Sequence, residues 1–461
     1  MSELNRVLAA ADAAMPQSLD RLFTLLRIPS LSADPAFDKD CRRAGQWLVD
    51  ELSALGFRAA LRETAGKPMV VAHFGDASGQ HALFYGHYDV QPPDPLDKWE
   101  TPPFEPVIRK GKDGRERIYG RGTADDKGQL MTFLEAARAW IATTGGLPFR
   151  ATFLIEGEEE SGSPSLLPFL KENRAELSAD IAFVCDTNLW DAKTPAITTR
   201  LRGLAHDEVT ITGPSIDLHS GMYGGPAMNP IRVLSKVLAA LHDRNGRVTI
   251  PGFYDGVEEP SKAIKAQWKT LNFSDRKFLR EVGLSLPAGE PRRSVLEQIW
   301  ARPTAEVNGI LGGYTGAGVK TVLPSRASAK LTFRLVGKQD PKKIIKAFRA
   351  FVKERVPRDC KVEFAADAGG SPASVVPENN PFIALTAAAL KDEFRRPAVL
   401  IGSGGSIPIV RGFKDVLGMD SVLVGFGLND DAIHSPNEKY DLASFTRGIR
   451  SWVRIMAALS G

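Results

Sequence analysis

Ala82-Leu83-Phe84-Tyr85-Gly86-His87-Tyr88-Asp89-Val90-Gln91-Pro92 is an apolar run that breaks into a polar turn carrying an imidazole and a carboxylate. Four apolar residues before a glycine read as a strand buried on both faces, the kind found inside an α/β sheet. His87 and Asp89 are two residues apart, so an extended backbone turns both side chains to one side. In open α/β sheets, ligands gather just beyond the carboxyl ends of the strands, and this pair falls there. Two readings fit the pair alone. It is a turn whose Asp bonds its own backbone, or it is part of a metal site, where a ligating His needs its second ring nitrogen held.

The pattern recurs along the chain. Gly120-Arg-Gly-Thr-Ala-Asp125-Asp126-Lys127-Gly128 opens a helix predicted over about 127–143, with Leu130, Phe133, Leu134, Ala137 and Ile141 on its apolar face. One Asp at that point suits an N-cap. A pair also suits a bridging carboxylate, and zinc accepts His and carboxylate ligands at about 2.0–2.2 Å. Glu158-Glu159-Glu160 follows a strand predicted over 149–155 and runs into the turn Ser161-Gly162-Ser163. Repulsion among three adjacent carboxylates is relieved when one binds a cation and another takes a proton. A Glu beside a metal-held water is a good general base. Asp186, after a predicted strand at 181–185, and His434, in Ile433-His-Ser-Pro-Asn-Glu438, occupy the same kind of place. Of the seven His, His87 and His434 stand out by context. His219, in Asp217-Leu-His-Ser-Gly221, is intermediate, and His73, His81, His206 and His242 read as strand, turn or surface positions.

The rest of the chain fits an α/β layer fold with an insertion. Helices are predicted near 19–28, where Pro29 ends the run, and at 40–55, with Gly56 just past its end. Strands are predicted at 69–74, 82–85, 149–155 and 181–184. After about residue 203 the pattern changes to half-exposed alternation, at 205–212 and 329–336, with helices near 230–242 and 341–354. A Pro- and Gly-rich stretch at 250–320 carries no predicted element. From about residue 380 buried α/β character returns, with strands near 398–401 and 421–424 and a last helix over 441–459. The expected organisation is a discontinuous domain of residues 1–203 and 380–461 interrupted by an α+β domain of residues 204–379.

Composition narrows the function. The 461 residues are 43% hydrophobic and 25% charged with net charge +4, ordinary for a globular protein. No basic tract with interleaved aromatics points to nucleic acid. No run approaches the roughly 20 apolar residues of a membrane helix, and residues 1–25 lack the pattern of a signal peptide. Three widely spaced cysteines, Cys41, Cys185 and Cys360, argue against a disulfide framework and for a cytoplasmic location. Gly313–Gly318 follows no buried strand, so it is no phosphate cradle. Ser403 and Ser406 in Gly402-Ser-Gly-Gly-Ser406 lack a nucleophile elbow.

Gly86-His-Tyr-Asp-Val-Gln-Pro92, Tyr119-Gly-Arg-Gly-Thr-Ala-Asp-Asp-Lys-Gly128, Glu159-Glu-Ser-Gly-Ser163 and His434-Ser-Pro-Asn-Glu438 together resemble the metal-site motifs of the dizinc MH-clan metallopeptidases. Within that group the chain is most similar to the cytosolic nonspecific dipeptidases and carnosinases, in order along nearly its whole length. The resemblance implies a zinc-aminopeptidase-like catalytic domain with a mixed, mostly parallel sheet, and an inserted lid/dimerisation domain. It implies two Zn²⁺ per subunit, with Mn²⁺ or Co²⁺ as alternatives, bridged by Asp125. His87 and Asp186 would hold one ion, and Glu160 and His434 the other. Glu159 would be the general base, Asp89 would orient His87, and a cis peptide is expected after Asp125. Glu158 would be a bystander, the register resting on the Ser-Gly that follows.

The dipeptidase branch implies further that Thr321, Arg334 and Ser406 hold substrate, Arg334 by a bidentate grip on a C-terminal carboxylate. His219 would reach the active site of the partner in a homodimer. The implied reaction is hydrolysis of a peptide bond near a free carboxylate through a metal-bridging hydroxide, with Glu159 moving the proton. A deacylase of N-acyl amino acids would use the same metals. A non-catalytic binding protein on this fold would have lost a ligand or the base, and here every position is filled.

Overall fold

The computed structural model describes residues 2–75, 79–405 and 407–460. The chain forms two compact units, Met1–Thr199 with Val376–Ile401 and Pro408–Gly461, and Arg200–Val375 with Gly402–Ile407. The boundaries differ from the expected ones chiefly at Gly402–Ile407, a short glycine-rich excursion that clusters with the second unit.

The first unit is built on a twisted mixed sheet. Seven of its nine strands lie in the order Arg58–Arg62, Met69–Phe74, Arg150–Glu156, His81–His87, Ile181–Val184, Ser421–Leu423 and Ala196–Leu201, and Val399–Ser403 and Ser374–Val375 pair with the last of these. The four strands from Arg150–Glu156 to Ser421–Leu423 are parallel, and the flanking pairs are antiparallel. Every residue of His81–His87 is buried, which explains why that stretch reads as an uninterrupted apolar run. The helix Lys127–Thr144 covers the sheet and ends at Gly145, whose φ of 84° suits a residue without Cβ. Phe84, Phe133, Phe153, Phe183 and the buried Trp452 of the last helix, Leu442–Ala458, interlock as tilted, stacked and edge-on aromatic pairs at the heart of this core. Because the central strands are parallel, the segments that follow His81–His87, Arg150–Glu156 and Ile181–Val184 all emerge at one sheet edge.

The second unit has a five-stranded antiparallel sheet containing Thr304–Gly312, Arg326–Leu335, Gly203–Thr212, Lys361–Phe364 and Gly369–Ser371. The strand Gly203–Thr212 alternates buried and half-exposed residues almost throughout, the signature of a sheet packed on one face. Helices Pro230–Ala239 and Pro341–Arg355 cover that face and share a core with Val209, Phe253, Phe333 and Phe348. The stretch 250–320 is not structureless. It holds helices Lys262–Lys269, Asp275–Arg280 and Val295–Trp300 and the edge strand Thr304–Gly312. These helices are six to eight residues long and bury from none to three residues each, so their periodicity is too brief to read against frequent Pro and Gly. Among the described residues, no helix is long and apolar enough to cross a membrane.

Candidate metal centre

Five ligand-type side chains converge at the carboxyl edge of the first unit's sheet. Asp125 is their hub. Its Oδ1 lies 3.1 Å from His87 Nε2 and its Oδ2 lies 3.0 Å from His434 Nε2. His434 Nε2 is also 3.2 Å from Glu160 Oε2. Two triads result, His87–Asp125–Asp186 and Asp125–Glu160–His434, each with ligand atoms within 4.8 Å of one another. They share Asp125, one carboxylate oxygen facing each imidazole.

The supporting contacts are backbone-directed. His87 Nδ1 lies 3.1 Å from the Asp89 carbonyl and 3.4 Å from its carboxylate, which leaves Nε2 free for a ligand. The Asp89 carboxylate accepts the Glu159 and Glu160 N–H groups at 3.2 and 3.0 Å. Asp89 therefore ties the turn carrying two acids to the strand end carrying His87. Gln91 donates to Glu160 Oε2 at 2.8 Å. Asp126 begins the helix yet makes no side-chain cap; its Oδ2 accepts the His87 N–H at 3.0 Å. The Asp125–Asp126 peptide is cis. Glu158 turns away from the centre, accepting N–H groups of Lys67 at 2.8 Å and Ser165 at 3.2 Å.

Charge at this edge is crowded. Burial, then Asp125, pushes the Asp186 carboxyl well above the usual range. Burial, opposed by His87 and aided by Glu160, Asp125 and Asp89, raises Glu159. Hydrogen bonds to Asp125 and Glu160 lift His434 to about 10. Burial opposes charge on His87, but its bonds to Asp125 and Asp89 raise it well above an ordinary imidazole. Three carboxylates and two imidazoles in overlapping triads are a donor set for divalent ions with N and O preference. Cations there would offset the acid crowding, so the residues fit metal ions.

His219, Thr321 and Arg334 lie in the second unit. His219 and Thr321 are neighbours: Leu218–His219 pairs with Val322–Leu323, and Ser220 N–H bonds the Thr321 carbonyl at 3.0 Å. His219 is exposed, and its Nδ1 accepts the Gly221 N–H at 3.0 Å. Arg334 is half-buried on another strand, opposite Leu204 and Thr304. Ser406 lies outside the described residues. Reading the sequence missed Gln91 and Glu438 as supports of the centre. Both stand inside the quoted motifs, beside the expected ligands His87 and His434 and the orienting Asp89.

A pair of overlapping carboxylate–imidazole triads beside a further buried acid is a donor set that a metal-dependent hydrolase could use. The sequence matches Peptidase family M20/M25/M40 over residues 83–458, and the chain belongs to that family. It is therefore a hydrolytic metallopeptidase. It is 33% identical over 457 residues to the Cys-Gly metallodipeptidase DUG1 of Candida albicans, covering 95% of this chain and 93% of that one. Among solved structures, the dipeptidase Dug1p of Saccharomyces cerevisiae superimposes with a TM-score of 0.78 at 29% identity, over 100% of this chain and 99% of that one. The M20 metallo-carboxypeptidase Sso-CP2 of Sulfolobus solfataricus gives 0.81 at 29% identity, over 96% and 99%.

Proposed function

We propose that the chain hydrolyses dipeptides, cutting the peptide bond next to a free C-terminal carboxylate, with two Zn²⁺ per subunit. His87, Asp186 and Asp125 would hold one ion, and Asp125, Glu160 and His434 the other. The observation that carries this reading is Asp125, whose two oxygens sit 3.1 and 3.0 Å from different imidazoles. Bound there, the ions would supply Lewis acidity toward the scissile carbonyl and lower the pKa of water. Glu159 takes a proton from the attacking water and passes it to the leaving amine as the C–N bond breaks. Its backbone N–H, pinned by Asp89, keeps the carboxylate beside the triads. Asp89 also holds the His87 ring in the tautomer that leaves Nε2 unprotonated.

His219, Thr321, Arg334 and Ser406 bind substrate in this reading, with Arg334 gripping the carboxylate. His219 serves the site of the partner in a homodimer. Dipeptidases and carboxypeptidases, as the relatives are named, both cleave one residue from a free carboxylate, which supports a guanidinium in the site. A cytoplasmic location belongs to the same reading, supported by buried free thiols at Cys41 and Cys185.

The test is Glu159→Gln with a panel of dipeptides and N-acyl amino acids. The variant should keep its metal content and lose about 10²–10⁴-fold in kcat. Undiminished turnover removes Glu159 from the mechanism. Preference for N-acyl amino acids over dipeptides replaces the dipeptidase by the deacylase.

A further inference from the structure

Glu438 lies four residues past His434, is fully buried, and touches none of the five ligand side chains through its carboxylate. Its surroundings are nevertheless built around the metal centre. Oε2 accepts Arg121 Nη1 at 2.7 Å and the Gly122 N–H at 3.0 Å. Oε1 accepts the N–H groups of Ala124 at 2.9 Å and Asp125 at 3.1 Å. Four donors fill the roughly four lone-pair sites of one carboxylate. The backbone joins in: the Glu438 carbonyl accepts the Gly120 N–H at 3.0 Å. The whole loop 120–125 is thus wrapped on one side chain, and the last N–H held belongs to the shared ligand Asp125.

The other end of the device is the loop that carries His434. Three non-glycine residues in it, Ala432, His434 and Asn437, have left-handed backbones, with φ of 55°, 59° and 64°. Such a loop keeps its shape only where its surroundings over-determine it. Asn437 is pinned on both sides, accepting the Glu100 N–H at 2.8 Å and donating to the Lys98 carbonyl at 2.9 Å. The Lys439 N–H closes the loop on the Asp431 carbonyl at 2.9 Å. Arg121, 1% exposed, extends the tie by donating to the Pro92 carbonyl at 3.2 Å. Pro92 follows Gln91, the residue that holds Glu160.

We infer that Glu438 is a positioning residue that fixes the distance between Asp125 and His434, and so builds the ion position shared by Asp125, Glu160 and His434. This inference rests on the two-ion reading above. His87 and Asp186 stand on strand ends that Glu438 does not touch, so the His87–Asp125–Asp186 position depends on it less. Second-layer partners of metal ligands typically contribute 10–100-fold in affinity.

The experiment is Glu438→Gln, with Zn²⁺ binding followed by equilibrium dialysis and elemental analysis. An amide offers one acceptor oxygen and turns N–H donors on the other pair of N–H groups, so two of the four contacts fail. The expected result is one ion per chain bound with near wild-type affinity and the other weakened 10–100-fold. The KM should be unchanged, and kcat should recover as Zn²⁺ is raised. A merely structural role would lower the melting temperature and weaken both ions together, or neither. Two ions held with wild-type affinity in Glu438→Gln overturn the inference. If wild-type protein binds no ions, it is the two-ion reading that fails. Should Glu438→Gln not fold, amide hydrogen exchange on the metal-loaded wild type decides. The Gly122, Ala124 and Asp125 amides should exchange at least 10³-fold slower than an open peptide, and exchange at the open rate overturns the clamp.

Discussion

Gly128→Ala tests whether the metal centre depends on the close docking of loop 120–125 on the helix that follows it. Gly128 is the second residue of the helix Lys127–Thr144, where Ala would ordinarily be favoured by about 1 kcal/mol. Here a Cβ would lie 1.8 Å from the Thr123 carbonyl oxygen and 2.9 Å from its carbon. Cβ atoms essentially never approach heavy atoms within 3.0 Å, so a shift of at least 1.2 Å (3.0 less 1.8) is needed. The obstruction is backbone, which cannot turn aside as a side chain does, and the buried Tyr440 ring lies 3.1 Å from the same Cβ. Thr123 is two residues from Asp125, whereas metal ligands tolerate about 0.2 Å. Overpacking of this kind costs about 1–3 kcal/mol in stability, and a misplacement near 1 Å costs on the order of 10²-fold in turnover.

The assay pairs kcat/KM with metal titration and thermal unfolding. The control is Gly145→Ala at the other end of the same helix. Its Cβ meets nothing within 4 Å, but its φ is 84°, so it should cost about 1 kcal/mol and leave metal affinity unchanged. Gly128→Ala with wild-type metal affinity and turnover would refute the reasoning.

Glu158→Gln should lower stability by about 1–2 kcal/mol, since Lys67 and Ser165 lose a charged acceptor, while kcat stays within a few-fold; a loss as large as that of Glu159→Gln would reassign the base. Lys127 is fully buried and donates to the Leu25 and Ile28 carbonyls at 3.1 and 2.6 Å. Lys127→Met should cost about 2 kcal/mol by denaturant melt, and an unchanged midpoint would show that the carbonyls find other donors. Burial, then Arg150, lowers the His81 imidazole to about 4, with Asp180 opposing and His73 adding to the shift. The unfolded chain takes up that proton first, below about 6.5, so His81 costs no stability at neutral pH. Its cost grows as pH falls from about 6.5 to about 4, reaching on the order of 3 kcal/mol. His81→Gln should flatten that part of the stability–pH curve, and a curve parallel to wild type would count against it.

Much of the centre was legible because its parts are local. A parallel strand that is buried on both faces announces itself as an apolar run, and the residue after it stands at the sheet's carboxyl edge. His87, Asp186 and the Glu158–Glu160 turn read in that way, and Asp125 as one of an acidic pair where a helix opens. Position after a strand does not say where a side chain points. Three adjacent glutamates are alike in sequence, and they separate only through distant partners: Lys67 and Ser165 take Glu158, whereas Asp89 and Gln91 hold the backbone or side chain of Glu159 and Glu160. The helices within 250–320 escaped notice because each buries too little for a period to show.

The sequence by itself determined the strand ends, the turns and the chemical kind of each ligand, since these follow from hydrophobic period and residue chemistry over a few neighbours. Hydrophobic period and residue chemistry left open which carboxylates face one another; the family resemblance implied a pairing, and the tertiary structure shows the groups that meet. It brought His434 to Asp125 across 309 positions of chain. It also filled the Glu438 carboxylate with N–H groups from a loop more than 300 residues earlier. The strand Lys439–Asp441 pairs antiparallel with Glu116–Tyr119 and so brings the two segments together, a long-range pairing that no local pattern encodes.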